Sequence, residues 1–328
     1  MRRLIEASLD HRLVVILLAL LLIGWGWSAF RLLPIDAFPD VTNVQVTVIS
    51  QAATLSPLEI EQLVTYPIEQ VCAGLPHSTE VRSLSKFGLS MVTVVFEDGT
   101  DIYFARQLVL ERIITVRDEL PEGTVSNLGP ISTGLGEVFQ YTLESPSHDL
   151  MELRTLQDWV LRPILRTVPG VAGVDSFGGY VKQFHVVADP MSLRRYGLAL
   201  EELAAAVAAN NAVAGGAFVE RGGEQFVVRG DGWVRSAEDL ENTVVAYRNN
   251  VPVLLEQVAT VELAPEIRQG AISRDARGET VAGIVLMLRG GSGRDVVEGV
   301  KQQLELARQS LPNDVEVVPF YDRSELVQ

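Results

Sequence analysis

The longest apolar stretch comes first. From Leu13 to Phe30 no residue is charged, and at about 1.5 Å per residue a helix over this run nearly matches a hydrocarbon core of about 30 Å. Arg2, Arg3 and Arg12 precede it, Trp25 and Trp27 lie near its far end, and Arg31 follows. Basic residues favour the cytoplasmic side and aromatic rings the interface, so the N-terminus is expected in the cytoplasm and the chain after Leu33 on the outer side. A cleaved signal peptide is the alternative, against which stand the length of the run and the want of a clear A-x-A site.

Pro34-Ile35-Asp36-Ala37-Phe38-Pro39-Asp40 reads as an exit linker, because two prolines stop the helix and bias their neighbours toward extended backbone. Val41 to Ile49 alternates β-branched and polar residues, the pattern of a half-buried strand. Ser56-Pro57 with Glu59 then starts a helix whose apolar face is Ile60, Leu63, Val64, Ile68 and Val71. Strands follow at Val81 to Ser85 and Ser90 to Phe96, with a turn at Asp98-Gly99. Thr100 or Asp101 caps a helix running to about Leu120, and a closing strand is expected near Val125. This order of strand, helix, two strands, helix, strand predicts a ferredoxin-like split βαβ unit.

A second such unit begins with a strand from Glu137 to Leu143, a helix from Leu150 to Arg166 and a strand from Val171 to Phe177. Its other half lies far downstream. Ile272 to Leu288 holds two strand-like stretches broken at Asp275 to Glu279, Arg294 to Ser310 is an amphipathic helix, and Val315 to Phe320 is a last strand. Between the halves, Gly178 to Arg268 changes to short strands, an alanine-rich helix around Leu200 to Asn210, and turns at Gly215-Gly216 and Gly222-Gly223.

Composition removes several function classes. A net charge of −15 argues against a nucleic-acid partner, which needs clustered Lys and Arg. The single cysteine, Cys72, excludes an intrachain disulfide framework and any CxxC site, and is read as a small buried residue near a helix end. Gly290-Gly291-Ser292-Gly293-Arg294 lacks the Lys-Ser/Thr pair of a phosphate-binding Walker loop and reads as a strand-to-helix turn. His11, His77, His148 and His185 are scattered, with no HExxH and no Cys partner, so no metal ligand is assigned. Glu97, Asp98 and Asp101 are explained by a turn and an N-cap. The methionines form no cluster along the sequence, and no GxSxG elbow places a nucleophile. No catalytic residue and no cofactor are assigned, and the chain is not expected to be an enzyme.

The order of landmarks resembles the heavy-metal efflux branch of the resistance-nodulation-division transporters. The resemblance runs through Pro34 to Asp40, Thr65-Tyr66-Pro67-Ile68-Glu69, Phe96-Glu97-Asp98-Gly99-Thr100-Asp101 and Leu156-Gln157-Asp158-Trp159. It continues through Val168-Pro169-Gly170-Val171, Phe177-Gly178-Gly179, Asp189-Pro190, Tyr196-Gly197 and Tyr321-Asp322-Arg323-Ser324-Glu325. It implies an α+β membrane protein with one N-terminal transmembrane helix and two ferredoxin-like porter subdomains, the second interrupted by a docking-type insertion. The corresponding boundaries are 1–33 for the cytoplasmic N-terminus and helix, 34–135 for the first porter subdomain, 136–177 with 269–328 for the second, and 178–268 for the insertion. It also implies that the chain is the N-terminal part of a longer pump, and that the intramembrane acidic residues that relay protons lie in helices beyond it.

The function implied is proton-driven export of heavy-metal cations by a homotrimer working with a periplasmic adaptor and an outer-membrane channel, integral to the bacterial inner membrane. At the mouth of the channel, copper and silver exporters of this kind carry Met in a Pro-Glu-Met-Arg stretch, where this chain reads Pro265-Glu266-Ile267-Arg268. Ile267 is therefore the candidate channel-lining position. Lacking a thioether there, the cargo is expected to be zinc, cobalt, cadmium or nickel rather than copper(I) or silver(I). The alternatives are a drug-efflux transporter of the same superfamily and a single-helix, membrane-anchored periplasmic scaffold or sensor.

Overall fold

The computed structural model describes residues 12–31, 42–211, 213–214, 218–227, 230–268, 270–276 and 278–326. The linker Pro34 to Asp40, the basic residues Arg2 and Arg3, and the Gly215-Gly216 turn lie outside them. Helix α1 (Arg12–Arg31) contains an 18-residue window, Arg12–Ala29, long and apolar enough to cross a membrane, and none of that window is buried.

The first sheet is built from β1 (Val44–Gln51), β2 (Ser78–Lys86), β3 (Leu89–Phe96) and β4 (Val125–Leu128) in the order β2-β3-β1-β4, every pairing antiparallel. Its helices are α2 (57–72), between β1 and β2, and α3 (Ile102–Val116), between β3 and β4. Alternation in β1 puts Val44, Val46 and Val48 inside, where they meet Ile60, Val64 and Ile68 of α2 and Ala105, Val109 and Ile113 of α3. The helix starts follow the sequence. Ser56 and Glu59 form a reciprocal capping box, and Asp101 accepts the Phe104 amide at 2.8 Å.

The second sheet repeats this plan with β5 (Glu137–Glu144), α4 (150–165), β6 (Val171–Gly178), β16 (Glu279–Met287), α8 (Gly293–Ala307) and β17 (Glu316–Asp322). Strand β16 lies between β6 and β5, and β5 pairs β17, so the order β6-β16-β5-β17 matches β2-β3-β1-β4. Strands β2 and β3 are joined by the tight turn Phe87-Gly88, whereas at the equivalent junction, between β6 and β16, the chain makes its long excursion. Ser292 caps α8, whose inner face is Val296, Val297, Val300, Leu304 and Ala307.

The described residues form two compact units, one within 12–147, 156–177 and 281–326, the other within 148–155 and 178–280. The excursion contains β7 (Lys182–Ala188), α5 (Pro190–Tyr196), α6 (Leu200–Asn210), β8 (Val213–Ala214), β9 (Phe218–Arg221), β10 (Glu224–Val227) and β11 (Gly230–Asp231). It continues with α7 (Ala237–Glu241), β12 (Val244–Arg248), β13 (Val251–Leu254), β14 (Ala259–Pro265) and β15 (Ile272–Ser273). Its core is Leu193, Leu198, Leu203, Leu240, Val245, Val253, Leu255, Val258 and Val261. Gly178 stands at its neck with φ +71°, and a Cβ there would lie 2.3 Å from the Thr280 carbonyl oxygen, so glycine alone allows this approach.

One feature of the helices departs from the expected pattern. In α2 the buried residues are Ile60, Val64, Thr65, Ile68 and Cys72, while Leu63 is 47 % exposed and Val71 half-buried. The spacing Ile60–Val64–Ile68–Cys72 spans twelve residues, and Leu153–Gln157–Leu161–Leu165 of α4 spans the same number. Three regular turns take up about 10.8 residues, so such a stripe drifts off its face unless roughly one residue is absorbed. Both helices absorb it in a wide turn with an i→i−5 bond: the Tyr66 amide donates to Glu61 O, and the Arg162 amide to Gln157 O. In each case the next residue is a proline, Pro67 or Pro163, which has no amide hydrogen to continue the regular ladder.

Candidate functional site

Ile267 sits where a ladder ends. Strand β14 pairs antiparallel with β7 from Ala259 opposite Ala188 to Pro265 opposite Lys182, and the Glu266 amide adds one further bond to Val181 O at 2.9 Å. The chain then leaves the sheet, and Ile267 is 92 % exposed. Arg268 closes the segment. Its guanidinium binds both carboxylate oxygens of Glu279, with Nη2 to Oε1 at 2.9 Å, and its Cζ lies 4.8 Å from the centroid of the Tyr180 ring. The hydrogen bond to Glu279 raises the Arg268 pKa, and the same bond lowers that of Glu279, so both stay charged at neutral pH. Ile267 is thus displayed between two anchored neighbours, with the exposed carboxylate of Glu266 beside it. An alkyl side chain offers no lone pair to a soft ion; the hard oxygen of Glu266 is the nearest side-chain donor along the sequence.

Other candidate chemistry is absorbed by structure. His77 takes the left-handed turn conformation, φ +61°, and its Nδ1 lies 3.1 Å from Glu97 Oε2 at the surface. His185 stands opposite Glu262 in the β7–β14 register. Among the described residues no three His, Cys, Asp or Glu side chains converge to hold a metal ion. Cys72 is fully buried, and burial pushes its thiol up to about 11, which suits a packing residue and not a thiolate. A groove of about 380 Å³ runs between α8 and β17, lined by Phe139, Lys301, Gln302, Glu305, Arg308 and Pro319.

The landmark sequences fall mostly on backbone joints. Thr65-Tyr66-Pro67-Ile68-Glu69 and Leu156-Gln157-Asp158-Trp159 both lie on the wide helical turns, and each turn is pinned by a buried polar side chain. Thr65 Oγ1 bonds Ser85 Oγ at 2.8 Å and Ser90 Oγ at 2.7 Å. Gln157, wholly buried, accepts the Tyr141 hydroxyl at 2.9 Å and its amide approaches Ser176 Oγ at 3.4 Å. Asp189 caps α5 and Gly197, at φ +65°, ends it; Arg248 then binds Tyr196 O at 2.8 Å and Gly197 O at 2.9 Å. Gly170, at φ +88°, turns the chain against Val296. At the far end Asp322 pairs with Lys301, and buried Arg323 donates to Leu135 O.

Residues 4–328 match the family described as AcrB/AcrD/AcrF. The Protein HelA of Legionella pneumophila is 46 % identical over 100 % of this chain and 32 % of its own length. The cobalt-zinc-cadmium resistance protein CzcA of Cupriavidus metallidurans is 43 % identical over 99 % of this chain and 31 % of its own. A crystal structure of a heavy metal efflux pump superposes with a TM-score of 0.88 at 37 % identity, covering 99 % of this chain and 33 % of that one. The chain thus spans about a third of the length of the relatives it matches. On these matches it belongs to the AcrB/AcrD/AcrF family of resistance-nodulation-division transporters, in the heavy-metal efflux branch.

Proposed function

We propose that this chain forms the first membrane helix and the first large periplasmic region of a proton-driven exporter of heavy-metal cations, with zinc, cobalt, cadmium or nickel preferred over copper(I) and silver(I). In this reading α1 crosses the inner membrane with its N-terminus in the cytoplasm. Residues 34–135 and the split set 136–177 and 269–328 are two porter subdomains of ferredoxin-like plan, and 178–268 is a docking insertion. The partners are a periplasmic adaptor, an outer-membrane channel and two further copies of the pump. The two matching sheets, each one layer of strands covered by two helices, support the porter reading. Proton transfer belongs to membrane segments other than α1, which has no ionisable residue between Arg12 and Arg31.

The observation that carries the cargo preference is Ile267. It is held outward by the Glu266 and Arg268 anchors, and at this position the chain presents an alkyl group and a neighbouring carboxylate instead of a thioether. Carboxylate oxygen suits divalent ions and thioether sulfur suits copper(I). The test is transport by the full-length pump in proteoliposomes under an imposed proton gradient, with zinc, cobalt, cadmium, nickel and copper(I) offered separately. Gradient-dependent movement of the divalent ions above copper(I) is expected. Faster copper(I) transport overturns the preference, and transport of none of the metals overturns the exporter reading.

A further inference from the structure

The crossover between the two sheets, residues 129–136, is held by arginines at three of its carbonyls. Arg106 of α3 donates from Nη1 to Gly129 O at 2.6 Å, while the Gly129 amide returns to Thr47 O of β1 at 2.7 Å. The backbone amide of Arg289 donates to Ile131 O at 3.2 Å, and buried Arg323 donates from Nη1 to Leu135 O. Arg289 then reaches further. From the end of β16 its guanidinium binds Asn43 O through Nη1 at 3.1 Å and Thr42 O through Nη2. Thr42 and Asn43 are the first described residues after α1 and lead directly into β1. One residue just past the end of β16 therefore grips both the crossover and the leader that connects the membrane helix to the first sheet.

The chemistry of the grip differs from that of a sheet ladder. A guanidinium carries five donors in a rigid plane, so binding two successive carbonyls fixes the orientation of the leader as well as its position. Its bonds are charge-assisted yet lie outside any strand pairing, with the Arg289 side chain half-buried. They can break and re-form without unfolding either sheet. A displacement of the leader, which is where any movement of α1 must enter the first sheet, meets resistance from the second sheet at this residue.

We propose that Arg289 is a positioning residue that couples the leader after the membrane helix to both sheets, with Arg106 and Arg323 fixing the two ends of the crossover. The proposal rests on the exporter reading for its functional consequence and on hydrogen bonding for its structural one. The test uses the full-length pump carrying Arg289→Ala or Arg289→Lys, in proteoliposomes with zinc as cargo, together with amide hydrogen exchange on the same preparations. Arg289→Ala is expected to lower kcat about tenfold while leaving KM within about twofold, because it touches coupling and not cargo binding. Exchange should quicken at residues 42–48 and 129–136, and Arg289→Lys, which keeps the charge and one donor direction, should recover part of both effects. The proposal is overturned by unchanged exchange at 42–48, or by a loss of transport that merely tracks loss of folded protein. If the unsubstituted pump moves no zinc, the exporter reading fails for zinc, and the exchange measurement alone decides whether the grip exists.

Discussion

Gly283 lies mid-strand in β16, a position where glycine is otherwise unfavourable. A Cβ built there would sit 2.3 Å from Tyr141 Cζ, 2.4 Å from its hydroxyl oxygen and 2.7 Å from Cε1. Ordinary carbon contacts are about 3.5–4.0 Å, so in Gly283→Ala the ring must retreat by roughly 1 Å or more. Tyr141 cannot retreat freely: it is wholly buried, and its hydroxyl is tied to Gln157. Burial raises the phenol pKa far above its usual value, so the group stays a donor at any working pH. Overpacking costs about 1–3 kcal/mol, and leaving the buried Gln157 carbonyl without its donor costs about 1–3 kcal/mol more. The total of about 2–6 kcal/mol corresponds to a melting-temperature fall of roughly 4–24 °C for a domain of this size. Differential scanning fluorimetry of the detergent-solubilised chain measures it. Adding Tyr141→Leu should restore part of the loss because it removes the ring, whereas Tyr141→Phe should not, because Cζ and Cε1 remain. A Gly283→Ala protein that melts within about 2 °C of the unsubstituted chain refutes the packing argument.

Burial alone would raise the Asp322 pKa, but hydrogen bonds from Lys301 and from the side chain and amide of Ser324 outweigh it and leave the value lowered. A carboxyl depressed on folding stabilises above its unfolded pKa of about 3.9 and loses that contribution as the pH falls through the folded value. Acid unfolding followed by circular dichroism should therefore steepen below about pH 4, and Asp322→Asn should be less stable at pH 7 with a shallower acid limb; an unchanged limb counts against the Lys301 pair. Cys72, fully buried with its thiol pushed up to about 11, should resist maleimide at pH 7.5 until denaturant is added. Rapid labelling of the folded chain would contradict its packing between α2 and the first sheet. Ile267→Met should raise copper(I) transport by the full-length pump relative to zinc by several-fold, since it supplies a thioether at the exposed position; an unaltered ratio removes Ile267 from the cargo path.

Strand alternation, the N-cap at Ser56 and a cap at Thr100 or Asp101 were legible because each is a local rule whose participants are adjacent in sequence. The wide turns were not. A stripe with four-residue spacing looks helical by eye, and Leu63 fits the usual period as well as Thr65 does. Only the packed structure puts Leu63 outside and Thr65 against Ser85 and Ser90. The proline after each turn is the one sequence signal that could have marked them. The Arg289 grip left no signal, because its acceptors are backbone carbonyls and every residue has one. The Arg268–Glu279 pair was hidden for a related reason: an exposed Arg and an exposed Glu eleven positions apart carry no mark of partnership until the chain turns back and β15 pairs β16 between them. The landmarks that carried the resemblance were visible as words, and their physical content, caps, left-handed turns and proline joints, emerged only with the backbone.

The wide turns also mark the two sheets as versions of one design. Both helices hold an extra residue at the same place, immediately ahead of a proline, and both sheets share one strand order. Each unit thus meets the same packing demand, a four-residue stripe kept on one helix face, with the same device. The long excursion enters only the second unit, at the junction that the first closes with Phe87-Gly88, so the shared strand order and the wide turns tolerate either connection.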